Sequence, residues 1–469
     1  MTSPKTSHGS AAGLAGPATG ENPPAPKGKR KLLKNATVLT MDPDVGDLVA
    51  GDVLIEDSTI RDVGPDLGTD GEVIDCSGSI VIPGFVNSHI HMFQTALRGY
   101  WTDALAPDYF AQSREGPDAI FHKYTSDDVY IGEYAGALEC LNAGVTTAVD
   151  TSQCSYTPAH TDAAIRGLQD SGLRAVYVYS PTTGDNIPAP DYAYPQDLHR
   201  LKDALAGDGL VTLALHSPMD ADNWALAREV GVPIFTHVNY TKGGLGLEEL
   251  GRAGVMGSDT TYIHCTWLED STWRWIAETG GKVSLSIIVE QTLQHGFAGL
   301  QPALDHGLRP SLGTDAVSMG PTDLFAQMKA AFALQRSRIQ EAGARGENDL
   351  PSVVSTRDIL EMATIGGAHA AHLADVTGSL TPGKEADVVV LRADRLNAAP
   401  LNSATGAVVT LLDTSNVWTV LVGGNVVKYQ GSLVDVSVPD VIRRVRDSAD
   451  GLFARSGYPR DVLGTRNRR

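Results

Sequence analysis

The residues of this 469-residue chain best equipped for chemistry are four histidines and an aspartate that close short apolar runs. His89 and His91 end the run that begins at Ile80. Two histidines two residues apart on an extended strand project from one face, so both imidazoles can reach one ion. A lone His-x-His pair is weak evidence, and its weight depends on what closes the other runs. His237 closes 232–237, His264 closes 260–264 and Asp315 closes 309–315. Imidazole nitrogens with one carboxylate suit Zn²⁺ or Fe²⁺ and can leave a coordination position open for water. Any one of these histidines alone reads more simply as a hydrogen-bonded core or rim residue. Four of them plus an aspartate, all at strand ends, make a metal site the better reading.

The elements that must position these groups alternate in type. Candidate strands at 80–91, 144–150, 173–179, 210–215, 232–237, 260–264, 282–289 and 309–315 are separated by helical patterns or long loops. The helical patterns include 126–142, 160–170, 195–206 and 321–339, and glycines such as Gly144, Gly172, Gly280 and Gly307 supply usual helix stops. Eight β/α units of this length predict an α/β protein, a (β/α)8 TIM barrel, whose active site lies at the C-terminal ends of the strands. A doubly wound open sheet is the competing architecture, but no Gly-rich phosphate loop supports it. Short strand patterns flank the barrel at 31–40, 52–56, 59–63 and 72–75, and again at 387–391, 417–422 and 425–428. They predict a small composite β-sandwich built from both chain ends. The expected division is a flexible tail at 1–29, the sandwich from 30–80 and 380–435, the barrel at 81–379, and a C-terminal helical tail at 436–469.

Composition narrows the function classes. A formal charge of −19 argues against nucleic acid or an anionic membrane as the main partner. Cys76, Cys140, Cys154 and Cys265 show no CxxC spacing and fit buried thiols in a reducing compartment. The first 29 residues lack the apolar core of a signal peptide, and no apolar stretch is long enough to span a bilayer. The expectation is a cytoplasmic protein acting on a small-molecule substrate.

The run Phe85-Val-Asn-Ser-His-Ile-His-Met-Phe-Gln-Thr-Ala-Leu-Arg-Gly99 resembles the first-strand motif of the amidohydrolase superfamily. The nearest branch holds cytosine, guanine and S-adenosylhomocysteine deaminases and triazine chlorohydrolases. His264-Cys-Thr-Trp-Leu268, Leu312-Gly-Thr-Asp315, Thr364-Ile-Gly-Gly-Ala368 and Gly378-Ser-Leu-Thr-Pro-Gly-Lys-Glu-Ala-Asp387 are similar to further motifs of that family. The resemblance runs in colinear order over roughly residues 30 to 435. It implies that His89, His91, His237 and Asp315 bind one catalytic metal, with zinc first and iron as the alternative. His264 would be a fifth ligand or a water-orienting base, and Asp315 would also take the proton from the metal's water. Gln94 would face the substrate, and the resemblance implies a homodimer or larger homo-oligomer.

Two departures from the family pattern bear on mechanism. The branch commonly carries Glu three residues after the strand-five histidine, where it protonates the ring nitrogen or leaving group; here that slot holds Tyr240. After strand seven the family's His-Cys-Pro-x-Ser-Asn is replaced by 286–295, which introduces Glu290. Glu290 is therefore the candidate general acid/base, facing the metal from strand seven, with a rim carboxylate as the simpler alternative. Asn239 and Tyr240 are candidate substrate contacts, and Trp101, with Tyr109, Phe110 and Phe121, is a candidate aromatic lid over a flat ring. The expected function is metal-dependent hydrolysis, in which metal-bound hydroxide attacks an electron-poor carbon of a nitrogen heterocycle. It would displace ammonia by default, or halide or nitrite. Hydrolysis of a cyclic amide competes, but strand four ends Ala214-Leu-His216-Ser without the bridging lysine of binuclear members. A non-catalytic scaffold that kept the fold is the remaining alternative.

Overall fold

The computed structural model describes residues 24–115, 118–181, 194–207, 209–238 and 246–464. Its central feature is a closed parallel barrel. The strands are Phe85–His91, Val145–Ser152, Arg174–Tyr179, Val211–His216, Ile234–His237, Thr260–Ile263, Lys282–Leu285 and a last one split into Ser311–Leu312 and Asp315–Ala316. The split strand joins the two ends of the sheet: Leu312 pairs with Leu285 of strand seven, and Asp315 and Ala316 pair with Ile90 and His91 of strand one. Helices such as Ser126–Asn142, Pro158–Ser171 and Leu324–Ala344 separate the strands. This is the TIM-barrel architecture that the alternating pattern predicted.

Strand eight is split for a steric reason. A Cβ on Gly313 would lie 2.9 Å from both the backbone N and O of His89, so only glycine lets this strand press against strand one. Asn87 then ties the two together: Thr314 N donates to Asn87 Oδ1 (3.1 Å) and to His89 O (2.9 Å), while Asn87 Nδ2 donates to Thr314 Oγ1 (2.7 Å). The result fixes Asp315 beside the His-x-His pair.

The run 80–91 is not one strand. It breaks at Gly84 into Ser79–Pro83, which belongs to the second sheet, and Phe85–His91, which belongs to the barrel. A Cβ at Gly84 would fall 1.9 Å from Thr146 Oγ1, so the chain crosses between sheets where no side chain fits. The predicted strand 282–289 is also corrected. It ends at Leu285, and Ile287–Thr292 is a helical turn. A short buried apolar run does not by itself distinguish strand from helix.

The second sheet, built from both chain ends, has nine mostly antiparallel strands. Arg30–Val38 pairs with Leu48–Glu56 on one side and with Glu72–Asp75 and Ser79–Pro83 on the other. Ser79–Pro83 pairs in turn with Val388–Arg392, which continues into Val417–Val422 and Asn425–Tyr429. Val53, Ile55 and Ile74 share one buried cluster with Val388, Val390 and Leu421, so the two ends of the chain make a common core. A buried ion pair fastens this sheet to barrel strand three. Arg174 donates Nε to Asp387 Oδ2 (2.7 Å) and Nη2 to Glu385 Oε2 (3.1 Å), and Gly423 N also donates to Asp387 (2.8 Å). The last helix, Val438–Ser456, is anchored to Ser126–Asn142 through Ser448 Oγ and Asp128 Oδ1 (2.6 Å). Among the described residues no helix is long and apolar enough to cross a membrane.

Candidate metal centre and active site

The strand ends bring His89, His91, His237, His264 and Asp315 into one buried cluster. His89 Nε2 and His91 Nε2 lie 3.4 and 3.2 Å from Asp315 Oδ1, and His264 Nε2 lies 3.7 Å from Asp315 Oδ2. His237 Nε2 lies 3.2 Å from His89 Nε2. Backbone geometry helps to aim two of these groups. His264 and Asp315 adopt left-handed φ angles of 72° and 59°, a conformation that costs a non-glycine residue on the order of 1 kcal/mol and recurs at functional sites.

Each imidazole turns Nε2 inward and gives Nδ1 to an outer partner. His91 Nδ1 donates to Thr151 O (2.6 Å), His89 Nδ1 is 3.5 Å from Thr151 Oγ1, and His264 Nδ1 donates to Glu290 Oε1 (3.0 Å). Behind His237, His216 Nε2 lies 2.6 Å from Nδ1, and His216 Nδ1 lies 3.2 Å from Ser180 Oγ. Outer partners of this kind orient a metal-binding imidazole and, with an ion present, leave Nε2 its lone pair for it. Two such lone pairs facing each other at 3.2 Å, as in His89 and His237, repel unless a cation lies near both. The donor set therefore fits a divalent ion, with one ligand atom each from His89, His91 and Asp315 and from His89, His237 and His264 within 4.8 Å of one another.

Electrostatics separates the members. Burial pushes His89 down to about 3 and, with the neighbouring imidazoles, holds His237 well below the ordinary histidine value. Both rings are thus neutral. Burial also acts downward on His264, but the hydrogen bond to Glu290 and the charge of Asp315 outweigh it and leave its pKa raised. Burial acts upward on Asp315, yet its close contacts with His89 and His91, and the charge of His264, hold it well below the usual carboxylate range.

The other expected site residues fall into three groups. Glu290 is fully buried on the turn after strand seven, but it sits behind His264: Oε1 also accepts from Ser286 N (2.7 Å), and among the described residues Oε2 has no hydrogen-bond partner. The helical turn that replaces the expected strand is what folds Glu290 back onto its own N-terminus. Gln94 is buried with both ends of its amide engaged, accepting from Ser318 Oγ (2.5 Å) and donating to Tyr109 OH (3.1 Å). Trp101 packs away from the histidine cluster. It is 2% exposed, packs edge-on against Tyr109 and Phe121, and lines a separate cleft with Gln112 and Tyr458. Tyr109 and Phe110, on the helix Ala106–Ser113, line the cavity beside the cluster. Asn239 and Tyr240 lie outside the described residues.

Residues that the sequence did not mark as site members are His216 and Arg114. His216 closes strand four, so the strand-end rule that found the other histidines also points to it. Arg114 follows a loop helix, where no spacing signal marks it. Beside strand two, Glu133 and Asp150 form a fully buried carboxyl pair, and Asp150 Oδ1 accepts from Met92 N (2.9 Å) next to His91. Burial raises Glu133 well above the ordinary carboxylate range and Asp150 to about 6.

Comparison with known proteins agrees with this geometry. The Amidohydrolase family model matches residues 80–427. A 5'-deoxyadenosine deaminase of Methanosarcina mazei is 29% identical over 449 residues, covering 90% of this chain and 98% of that one. A 5-methylthioadenosine/S-adenosylhomocysteine deaminase of Symbiobacterium thermophilum is 28% identical, again over 90% and 98%. Among solved structures, an adenosine deaminase from Xanthomonas campestris with bound zinc superposes with a TM-score of 0.79 at 21% identity, over 92% of this chain and all of that one. An atrazine chlorohydrolase from Arthrobacter aurescens TC1 complexed with zinc gives 0.77 at 20% identity, over 89% and 100%. With a divalent-metal donor set at the C-terminal mouth of its barrel, the chain belongs to the amidohydrolase family of hydrolases.

Proposed function

We propose that the protein is a zinc-dependent deaminase that hydrolyses an amino group from an electron-poor carbon of a nitrogen heterocycle. His89, His91, His237 and Asp315 would hold the ion, which when bound would supply a Lewis acid and a water acidic enough to ionise near neutral pH. Asp315, held ionised by its two histidine neighbours, accepts the water's first proton. The water oxygen bonds to the ring carbon, the carbon–nitrogen bond breaks, and the departing nitrogen takes a proton to leave as ammonia. His264, inclined to stay protonated by Glu290 and 3.7 Å from Asp315, holds and relays that proton. Glu290 is then a positioning residue that acts through His264.

The observation that carries this reading is the Glu290–His264 hydrogen bond on the side of the ring away from Asp315. It makes His264 a proton store at the cluster. Ammonia needs a proton to depart, whereas halide and nitrite do not, so this arrangement favours amine displacement. The relatives named as deaminases support the same choice, and the zinc-bound solved structures favour zinc over iron. The test is a panel of aminated purines, pyrimidines, azoles and triazines, including 5'-deoxyadenosine and S-adenosylhomocysteine, with chlorinated and nitrated counterparts. Ammonia, chloride and nitrite are measured separately. Ammonia release that chelation abolishes and zinc restores is expected; chloride or nitrite release with no ammonia from any amino compound overturns the reading.

A further inference from the structure

Arg114 lines the same cavity as His91, His237, His264 and Asp315. It is half-buried, and among the described residues it forms no ion pair with a carboxylate. Its Nε is buried and has no hydrogen-bond acceptor among the described residues. What holds the side chain is weak in charge terms. The guanidinium lies over Phe110 (4.7 Å to the ring centroid) and Tyr109 (5.5 Å), and Nη2 reaches Tyr109 OH at 3.5 Å. Tyr109 is fixed by Gln94, and Gln94 by Ser318 in the segment after strand eight. A rigid chain of contacts thus runs from the barrel to a cation at the cavity wall.

That cation is surplus to the site's own needs. Glu290 and Asp315, the two carboxylates that touch the histidine cluster, already match a divalent ion. The C-terminal carbonyls of the helix Ala106–Ser113, just ahead of Arg114, offset only about half a charge at most. A partly desolvated guanidinium that is oriented but not neutralised is suited to an anion arriving from outside, and its planar fork matches carboxylate or phosphate oxygens.

We infer that Arg114 binds an anionic group, carboxylate or phosphate, carried by the heterocyclic substrate. This rests on the deaminase reading for the ring, but the charge preference can be measured without turnover. Zinc-loaded protein would be titrated calorimetrically with two matched pairs: adenosine against adenosine 5'-monophosphate, and cytosine against cytosine-5-carboxylate. The pairs separate a phosphate from a carboxylate source. In at least one pair the anionic member is expected to bind about tenfold or more tighter than its neutral partner, on the scale of a partly desolvated charge pair. Arg114→Gln should reduce that advantage to less than about twofold with the zinc content unchanged, and Arg114→Lys should retain part of it. Neutral members binding as well as anionic ones in both pairs overturns the inference. So does an anionic advantage that survives Arg114→Gln, because the anion is then held by the ion or another group. An Arg114-dependent advantage without ammonia release would leave the inference standing and remove the deaminase reading instead.

Discussion

His237 and His264 close adjacent barrel strands, and each passes its Nδ1 to a buried neighbour. Behind His237 stands another imidazole, His216, at 2.6 Å; behind His264 stands the Glu290 carboxylate, at 3.0 Å. Burial acts downward on both rings, but their pKa values move apart. His237 falls well below the ordinary value, with His216 as the next cause after burial, while His264 is raised because Glu290 and Asp315 outweigh the desolvation. The same fold position thus leaves one ring neutral and raises the pKa of the other. What differs is the group behind the ring, and that is a general way to assign roles among clustered histidines.

The largest effect is expected at His237. His237→Ala should drop activity to background and leave less than stoichiometric zinc, read by elemental analysis of the purified protein. Glu290→Gln comes next. Loss of the charge behind His264 should lower turnover by roughly 10²-fold, on the scale of general acid–base catalysis, while zinc content stays near that of wild type. His216→Gln should act on the other side of the contrast: zinc affinity falls by roughly 10- to 100-fold, as for other groups that orient a ligand, and turnover recovers at saturating zinc. The smallest effect on chemistry should come from Asp387→Asn, which breaks the ion pair between the barrel and the second sheet. Denaturant unfolding should show a loss of about 3 kcal/mol, since one partner of a buried pair is removed, with the folded fraction keeping its zinc and turnover.

Much of the barrel was legible because its strands end where chemistry-bearing residues begin. The pattern predicted 260–264 and 232–237, and strands Thr260–Ile263 and Ile234–His237 stand there, with His264 and His237 at their mouths. Less legible were places where steric contact overrides pattern. Ile80 to Val86 reads as one apolar run, yet Gly84 divides it between two sheets because Thr146 fills the space a side chain would need. The residues 286–289 read as strand but turn into a helix, and that turn decides the position of Glu290. A sequence can suggest that Glu290 replaces a missing acid; only the turn shows that its carboxylate lies behind His264. Arg114 carried no signal, because its significance lies in charge left unmatched by its surroundings in space, not in any spacing along the chain.

The most direct test of the account is the pH profile of kcat/KM for Glu290→Gln beside wild type, at saturating zinc and with metal content measured on the same samples. In wild type the raised pKa keeps His264 protonated to higher pH, so activity that needs the proton is lost as pH rises through that value. Removing the Glu290 charge lowers it, whatever the ion contributes. Both proteins should hold one zinc per chain, with the alkaline limb displaced to lower pH in the variant. An unmoved limb with full zinc, or loss of zinc from Glu290→Gln, would contradict it.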